Sequence, residues 1–220
     1  MIKDKQEIIE KIRGKKGIIS DMDGVIYHGN KLLPGAKKFV EWLKNENKSF
    51  VFLTNASERT PRELQEKLSR LGIEVGHEHF YTSALATATF LASQKENGSA
   101  YIIGEAGIIN ALYDVGYSMN NINPDYVVIG DTHSYNYEKV VTASRLVRDG
   151  AKLIGTNPDI TGPSEQGIIP ATKALVAPIE LATGKPAYYI GKPNPLMMRI
   201  ALKKLGQQRE DTLIIGDRMD

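Results

Sequence analysis

An α/β fold with a mainly parallel sheet is predicted by three observations. Short apolar runs alternate with stretches of helical periodicity along most of the chain. Three of the helical stretches are followed by glycine stop signals, at Gly116, Gly150 and Gly184. Several apolar runs also end on polar residues, among them Asp21, Thr54 and Asp217. In open α/β sheets ligands bind outside the carboxyl ends of the strands, so these endings point to one shared site.

Taken in order, the first strand is Gly17-Ile18-Ile19-Ser20, which ends at Asp21. A helix follows from Pro34, with Ala36, Phe39, Val40 and Leu43 on one face. The next strand, Phe50-Val51-Phe52-Leu53, runs into Thr54-Asn55. Thr60 and Glu63 have capping-box spacing, Pro61 fits the first helical position and Gly72 fits the stop, with Leu64, Leu68 and Leu71 as the buried stripe. A short strand is expected at Phe80-Tyr81-Thr82.

A second α/β series occupies the middle. Its strands are expected at Ala100–Ile103, Tyr126–Ile129 and Lys152–Ile154, and its helices near 84–95, 105–115, 136–149 and 171–183. Tyr188-Tyr189-Ile190 leads to Gly191-Lys192-Pro193, a helix opens at Asn194-Pro195, and the last strand, Thr212–Ile215, reaches Gly216-Asp217. A doubly wound sheet continues such a strand with a helix and a further strand, so the core is expected to be truncated at its C-terminal side.

Composition narrows the function classes. Hydrophobic residues make up 41% and charged residues 25%, the balance of an ordinary globular protein. A formal charge of +2 creates no field for a nucleic acid polymer or an anionic membrane, so a small anionic substrate has to be held by local groups. Cysteine is absent, which removes disulfides, thiolate nucleophiles and Cys-ligated metal sites. With neither a signal-like N-terminus nor a membrane-spanning run, the chain is read as cytoplasmic.

Four polar segments carry the chemistry: Asp21-Met22-Asp23-Gly24, Thr54-Asn55, Gly191-Lys192-Pro193 and Gly216-Asp217. Phosphoryl transfer needs an in-line nucleophile, a proton donor for the leaving oxygen and positive charge around the transferred oxygens. A carboxylate such as Asp21 forms an acyl-phosphate that water later splits. Asp23, two residues on, points the same way in an extended segment, and Gly24 permits a sharp turn. Asp21 and Asp217 are hard oxygen ligands of the kind Mg2+ prefers. Lys192 supplies a point charge and Thr54 a hydroxyl for phosphate oxygens. Taken singly, each has an ordinary reading as a turn former, cap or solvated lysine; their order and shared strand-end placement favour the joint one.

Asp21-Met22-Asp23-Gly24-Val25, Thr54-Asn55, Gly191-Lys192-Pro193 and Gly216-Asp217-Arg218 together resemble the four ordered motifs of the haloacid dehalogenase-like (HAD) hydrolases. The long insertion between the second and third motifs resembles the cap of the NagD-type phosphatase branch. Leu33-Pro34-Gly35, Phe80-Tyr81-Thr82-Ser83-Ala84, Asn123-Pro124-Asp125, Ser134-Tyr135-Asn136 and Thr156-Asn157-Pro158-Asp159 are similar to segments of that branch as well. The resemblance implies a Rossmann-like core, assigned to residues 1–82 and 185–220, and an α/β cap at 83–184. It implies Asp21 as nucleophile and Mg2+ ligand, and Asp23 as general acid/base whose backbone carbonyl also binds the metal. It further implies Thr54 and the backbone N–H of Asn55 on the phosphate, Lys192 neutralising it, and Asp217 on the metal. The segment from Gly24 to Leu33 would be mobile beside the nucleophile. The family's fourth motif carries a further acidic residue downstream, and Asp220 does not take that place, so the metal site is expected to be incomplete. The implied substrate is a small phosphorylated metabolite: a nucleoside monophosphate such as UMP, a sugar phosphate or an aryl phosphate.

Other readings are weaker. His77 and His79 have metal-like spacing but no third ligand. Ile103-Gly104-Glu105-Ala106-Gly107 imitates a nucleotide-binding turn without the full glycine pattern. Asn157 and Asp159 are candidates to hydrogen-bond the leaving group or order the cap's substrate loop, with a plain Asn-Pro turn as the alternative. Tyr126, Tyr135 and Tyr137 are candidates to face a ring, with half-buried packing as theirs. A receiver-like signalling module shares the acidic, Thr and Lys chemistry but has no use for so large an insertion. A phosphomutase would place its cap between the first two motifs, where there is no room. Pairing of caps into a homo-oligomer is left open.

Overall fold

The computed structural model describes residues 5–164 and 167–217. The chain runs α1 (Lys5–Gly14), β1 (Gly17–Ser20), β2 (Tyr27–His28), β3 (Lys31–Leu32), α2 (Ala36–Asn45), β4 (Ser49–Thr54), α3 (Pro61–Arg70), β5 (Phe80–Thr82) and α4 (Ser83–Gln94). It continues with β6 (Ser99–Ile103), α5 (Ala106–Asp114), β7 (Ser118–Met119), β8 (Tyr126–Ile129), α6 (Tyr137–Arg148) and β9 (Lys152–Gly155). Then follow β10 (Thr161–Ser164), β11 (Gly167–Pro170), α7 (Thr172–Thr183), β12 (Tyr188–Tyr189), α8 (Pro195–Leu205) and β13 (Thr212–Ile215).

Two parallel sheets result, ordered β13-β1-β4-β5 and β12-β9-β8-β6-β7. Period-two side-chain alternation decides what each face covers. In the first sheet Ile18, Phe50 and Phe52 pack against α2 and α3, whereas Ile19, Val51 and Leu53 face the layer of α4, α5 and α8. In the second sheet Tyr126, Val128 and Ile154 face that same layer, and Val127, Ile129 and Leu153 lie under α6 and α7. One apolar cluster therefore reaches from sheet to sheet through α4, whose Ala84, Ala88 and Leu91 are buried in it.

Helix boundaries follow local chemistry. Thr60 and Glu63 form a full capping box at α3, with Pro61 at the first turn. Asn194 caps α8 by accepting from the Leu196 N–H at 3.0 Å, and Asn136 caps α6 by accepting from the Lys139 N–H at 2.9 Å.

The expected strands and helices of both series are present within a residue or two. Several features were not anticipated, among them the short strand β7 (Ser118–Met119) beside β6. The helix α1 is mostly polar and leaves Ile8 and Ile9 substantially exposed, so it carries little amphipathic signal. The hairpins β2–β3 and β10–β11 are short antiparallel pairs, and the second contains Gly162, Pro163 and Pro170, residues that read as a loop. Tyr188–Tyr189 pairs with β9 and is one edge strand of the second sheet, beyond the cap limit expected at residue 184. No helix among the described residues is long and apolar enough to cross a membrane.

Candidate active site

Asp21 leaves β1 still in register, its N–H donating to the Ile215 carbonyl at 2.8 Å. Met22, fully buried, anchors the next residue inward, and its carbonyl accepts from Ile26 N–H at 2.8 Å to close a tight turn. Alternation around Met22 sends both Asp21 and Asp23 into one cavity of about 800 Å³. Gly24 has φ +77°, and a Cβ there would lie 2.5 Å from Asp217 Oδ2. Only glycine allows this turn and the close approach of the Asp217 carboxylate.

The Lys192 ammonium donates to Asp21 Oδ2 at 2.5 Å and lies 3.4 Å from the Leu53 carbonyl. The other oxygen of Asp21 accepts from the Met22 N–H at 2.7 Å. Lys192 and Asp21 are mostly buried, with side chains 16% and 18% exposed, so their charges compensate each other away from bulk water.

Asn55 holds the lysine in place from both sides. Its Oδ1 accepts from the Lys192 N–H at 2.7 Å, and its Nδ2 donates to the Lys192 carbonyl at 3.1 Å and to Asp159 Oδ2 at 2.8 Å. A Cβ on Gly191 would lie 2.8 Å from Asn55 Oδ1 and 2.6 Å from Asn157 Cβ, so these loops meet only because residue 191 has no side chain. Thr54, at the end of β4, accepts from the Ala56 N–H at 3.1 Å, which leaves its own hydroxyl proton available to the cavity it lines.

Burial raises the Asp23 carboxyl above the usual carboxylate range; Lys67 opposes this, and the nearby Asp21 charge adds to it. The Tyr27 phenol is also raised, first by burial and then by Asp23. Lys67 sits 3.6 Å over the Tyr27 ring, bringing a cation to the cavity wall.

Asp21, Asp23, Thr54, Asn55, Asn157, Asp159, Lys192 and Asp217 all line this one cavity. Arg218 and Asp220 lie outside the described residues. The Asn157 side chain is 2% exposed, and its amide is engaged by the Asn55 carbonyl, Asp131 and Thr172. Its polar atoms therefore serve the seam between the sheets rather than pointing freely at a ligand. No group of three His, Cys, Asp or Glu side chains converges among the described residues. The two carboxylates Asp21 and Asp217, lining one cavity, fit a cation that takes one or two carboxylates plus water and phosphate, as Mg2+ does.

The lesser candidates fall outside. The His79 ring stacks on Phe50 at 3.9 Å and its Nδ1 lies 3.0 Å from the Phe50 carbonyl, a packing role. Tyr135 donates to the Leu175 carbonyl at 2.6 Å, Tyr126 is buried, and Tyr137 is exposed; none of the three lines the cavity. Sequence reasoning missed Glu58, Arg59, Lys67, Asp131 and His133, which do line it. They are single polar residues on loops and a helix flank, with no spacing that marks them. The cavity is also walled by His28 of β2 and by Gly162, Pro163 and Ile169 of the β10–β11 hairpin.

Comparison with known proteins gives the family. The haloacid dehalogenase-like hydrolase family profile matches residues 18–118, and a second profile of the same class matches 189–220. The chain belongs to the haloacid dehalogenase-like hydrolases, in the NagD-type branch of phosphoric monoester hydrolases. Among similar proteins, a dihydroxyacetone phosphatase of Corynebacterium glutamicum is 48% identical over 92% of this chain and 74% of its own length. The ribonucleotide monophosphatase NagD of Escherichia coli is 40% identical over 93% and 80% of the two chains, and its solved structure superposes with a TM-score of 0.87. A double-mutant thermostable NPPase from Geobacillus stearothermophilus is 37% identical, with a TM-score of 0.89 covering 94% of this chain and 83% of that one.

Proposed function

We propose that this chain hydrolyses small phosphate monoesters with Mg2+ through a phospho-aspartate at Asp21. The observation that carries the proposal is the Lys192 ammonium 2.5 Å from Asp21 Oδ2, in a cavity that also holds Asp23, Thr54, Asn55 and Asp217. An Asp21 oxygen attacks phosphorus in line as the bond to the leaving oxygen breaks, and Asp23 delivers its proton to that oxygen. Asp23 then takes a proton from water, whose oxygen attacks the acyl-phosphate, releasing phosphate and restoring the Asp21 carboxylate. Its raised proton affinity suits the acid role.

The Lys192 ammonium, the Thr54 hydroxyl and the Asn55 backbone N–H are assigned to the phosphoryl oxygens. Asp21, Asp217 and the Asp23 carbonyl would hold Mg2+, which when bound offsets the repulsion between these carboxylates and the phosphate. The first sheet with its helices forms the core and the second sheet the cap, with the boundary after Tyr189 rather than after residue 184.

A cavity of about 800 Å³ is large for a triose and has room for a nucleoside or hexose. Its rim of Glu58, Arg59, Lys67 and His133 favours a polar leaving group. One relative is named a dihydroxyacetone phosphatase and another a ribonucleotide monophosphatase, so dihydroxyacetone phosphate and ribonucleotides such as UMP, with sugar phosphates and aryl phosphates, belong in the substrate panel. Release of phosphate from p-nitrophenyl phosphate should require Mg2+ and disappear in Asp21→Asn. Wild-type turnover by that variant would overturn the mechanism.

A further inference from the structure

Where the loops of the second sheet meet the loop after β4, a single carboxylate collects five donors. Asp131 Oδ2 accepts from the Ser57 N–H at 3.1 Å, the Ser57 hydroxyl at 3.0 Å and the Asn157 amide at 3.1 Å. Its Oδ1 accepts from the Thr172 N–H at 3.1 Å and the Thr172 hydroxyl at 2.9 Å. The Asp131 N–H returns a bond to Ser57 Oγ at 2.8 Å. Ser57, Thr156 and Thr172 are fully buried, and the Thr156 hydroxyl lies 3.0 Å from Ser57 Oγ and 3.1 Å from Thr172 Oγ1. Backbones close tightly here: a Cβ on Gly130 would lie 2.8 Å from Ser57 Oγ, and one on Gly107 2.4 Å from the Ser57 carbonyl.

This knot leads by direct contacts to the reacting carboxylate. Asn157, held by Asp131, donates to the Asn55 carbonyl at 2.9 Å, and Ser83 donates to that same oxygen at 2.5 Å. Both lone pairs of the Asn55 carbonyl are thereby used, which fixes the Asn55 peptide. The Asn55 side chain grips the N–H and C=O of Lys192, and the Lys192 ammonium reaches Asp21.

We infer that Asp131, on the loop after β8, is a positioning residue that sets the Thr54–Ser57 loop and, through Asn157 and Asn55, the place of the Lys192 ammonium. The inference rests on the proposed roles of Asn55 and Lys192. Only an acceptor on both sides satisfies the donors: an amide at 131 turns an NH2 group toward either Ser57 or Thr172 and strands a buried backbone N–H.

The test uses p-nitrophenyl phosphate turnover by the full chain. Asp131→Asn should lower kcat about 100-fold, the scale of an ångström's misplacement at a reacting centre, with KM changed by less than about threefold. The Asp131→Asn/Asn55→Ala double variant should be no slower than Asn55→Ala by more than about threefold, because both changes loosen one relay. A folded Asp131→Asn protein with wild-type kcat, a change confined to KM, or losses that multiply in the double variant would each overturn the inference. Should Asp131→Asn fail to fold, Ser57→Ala removes one hydroxyl only. A kcat at least about fivefold lower, non-additive with Asn55→Ala, then supports the relay, and an unchanged kcat refutes it. A wild-type chain inactive on every ester would instead refute the proposed function.

Discussion

At Asp23 the chemistry depends on environment more than on residue type. Its carboxyl is raised first by burial and then by the Asp21 charge, with Lys67 pulling the other way. A raised carboxyl keeps its proton to higher pH than an exposed one, which suits donation to a leaving oxygen. The demand for that proton varies with the substrate. A nitrophenolate leaves readily without it, whereas an alkoxide from a sugar or glycerol-like ester does not. Asp23→Asn should therefore cost about 10²–10⁴-fold in kcat on alkyl phosphates and markedly less on p-nitrophenyl phosphate. Equal losses on both, in steady-state assays, would count against the acid role.

At the scale of elements, caps decide where the site's supports begin. The helix α3 opens on a reciprocal capping box: the Glu63 N–H donates to Thr60 Oγ1 at 3.2 Å and the Thr60 N–H to Glu63 Oε2 at 2.7 Å. From this helix Leu64 and Lys67 reach the cavity wall. Thr60→Ala should lower stability by about 1 kcal/mol, read as a lower urea midpoint at unchanged slope, while Thr60→Ser should be close to neutral. A midpoint shift in the serine variant as large as in the alanine variant would show that the hydroxyl is not what matters.

For the whole molecule, the layer of α4, α5 and α8 makes one unit of two sheets. Leu91 of α4 is fully buried in a cluster that includes Val51 of the first sheet and Val128 of the second. Leu91→Ala should cost about 2–5 kcal/mol. Because the cluster is shared, the loss should move a single transition. The fluorescence of Trp42, on α2 at the far side of the first sheet, should fall together with the helical circular dichroism. Separate midpoints for the two signals would mean that the sheets melt independently.

Much of this was legible in the chain itself. Strands such as Gly17–Ser20 and Tyr126–Ile129, the α3 cap and the Asp21, Asp23, Thr54, Lys192 and Asp217 positions rest on local causes: apolar runs, capping geometry and polar residues at strand ends. The β10–β11 hairpin was not legible, because its pairing is confined to two exposed strands broken by Gly and Pro. Nor was the edge strand Tyr188–Tyr189, whose partner β9 lies more than thirty residues away. Asp131 shows the limit most clearly. Nothing beside it in the sequence marks it, since Ser57 and Thr172 reach it from 74 and 41 residues away. The sequence by itself determined the main strands and helices and the identity of the strand-end residues, because those depend on neighbours along the chain. Only the tertiary structure decided what holds them, because a hydrogen-bond network across a seam is set by which loops the packed sheets bring together.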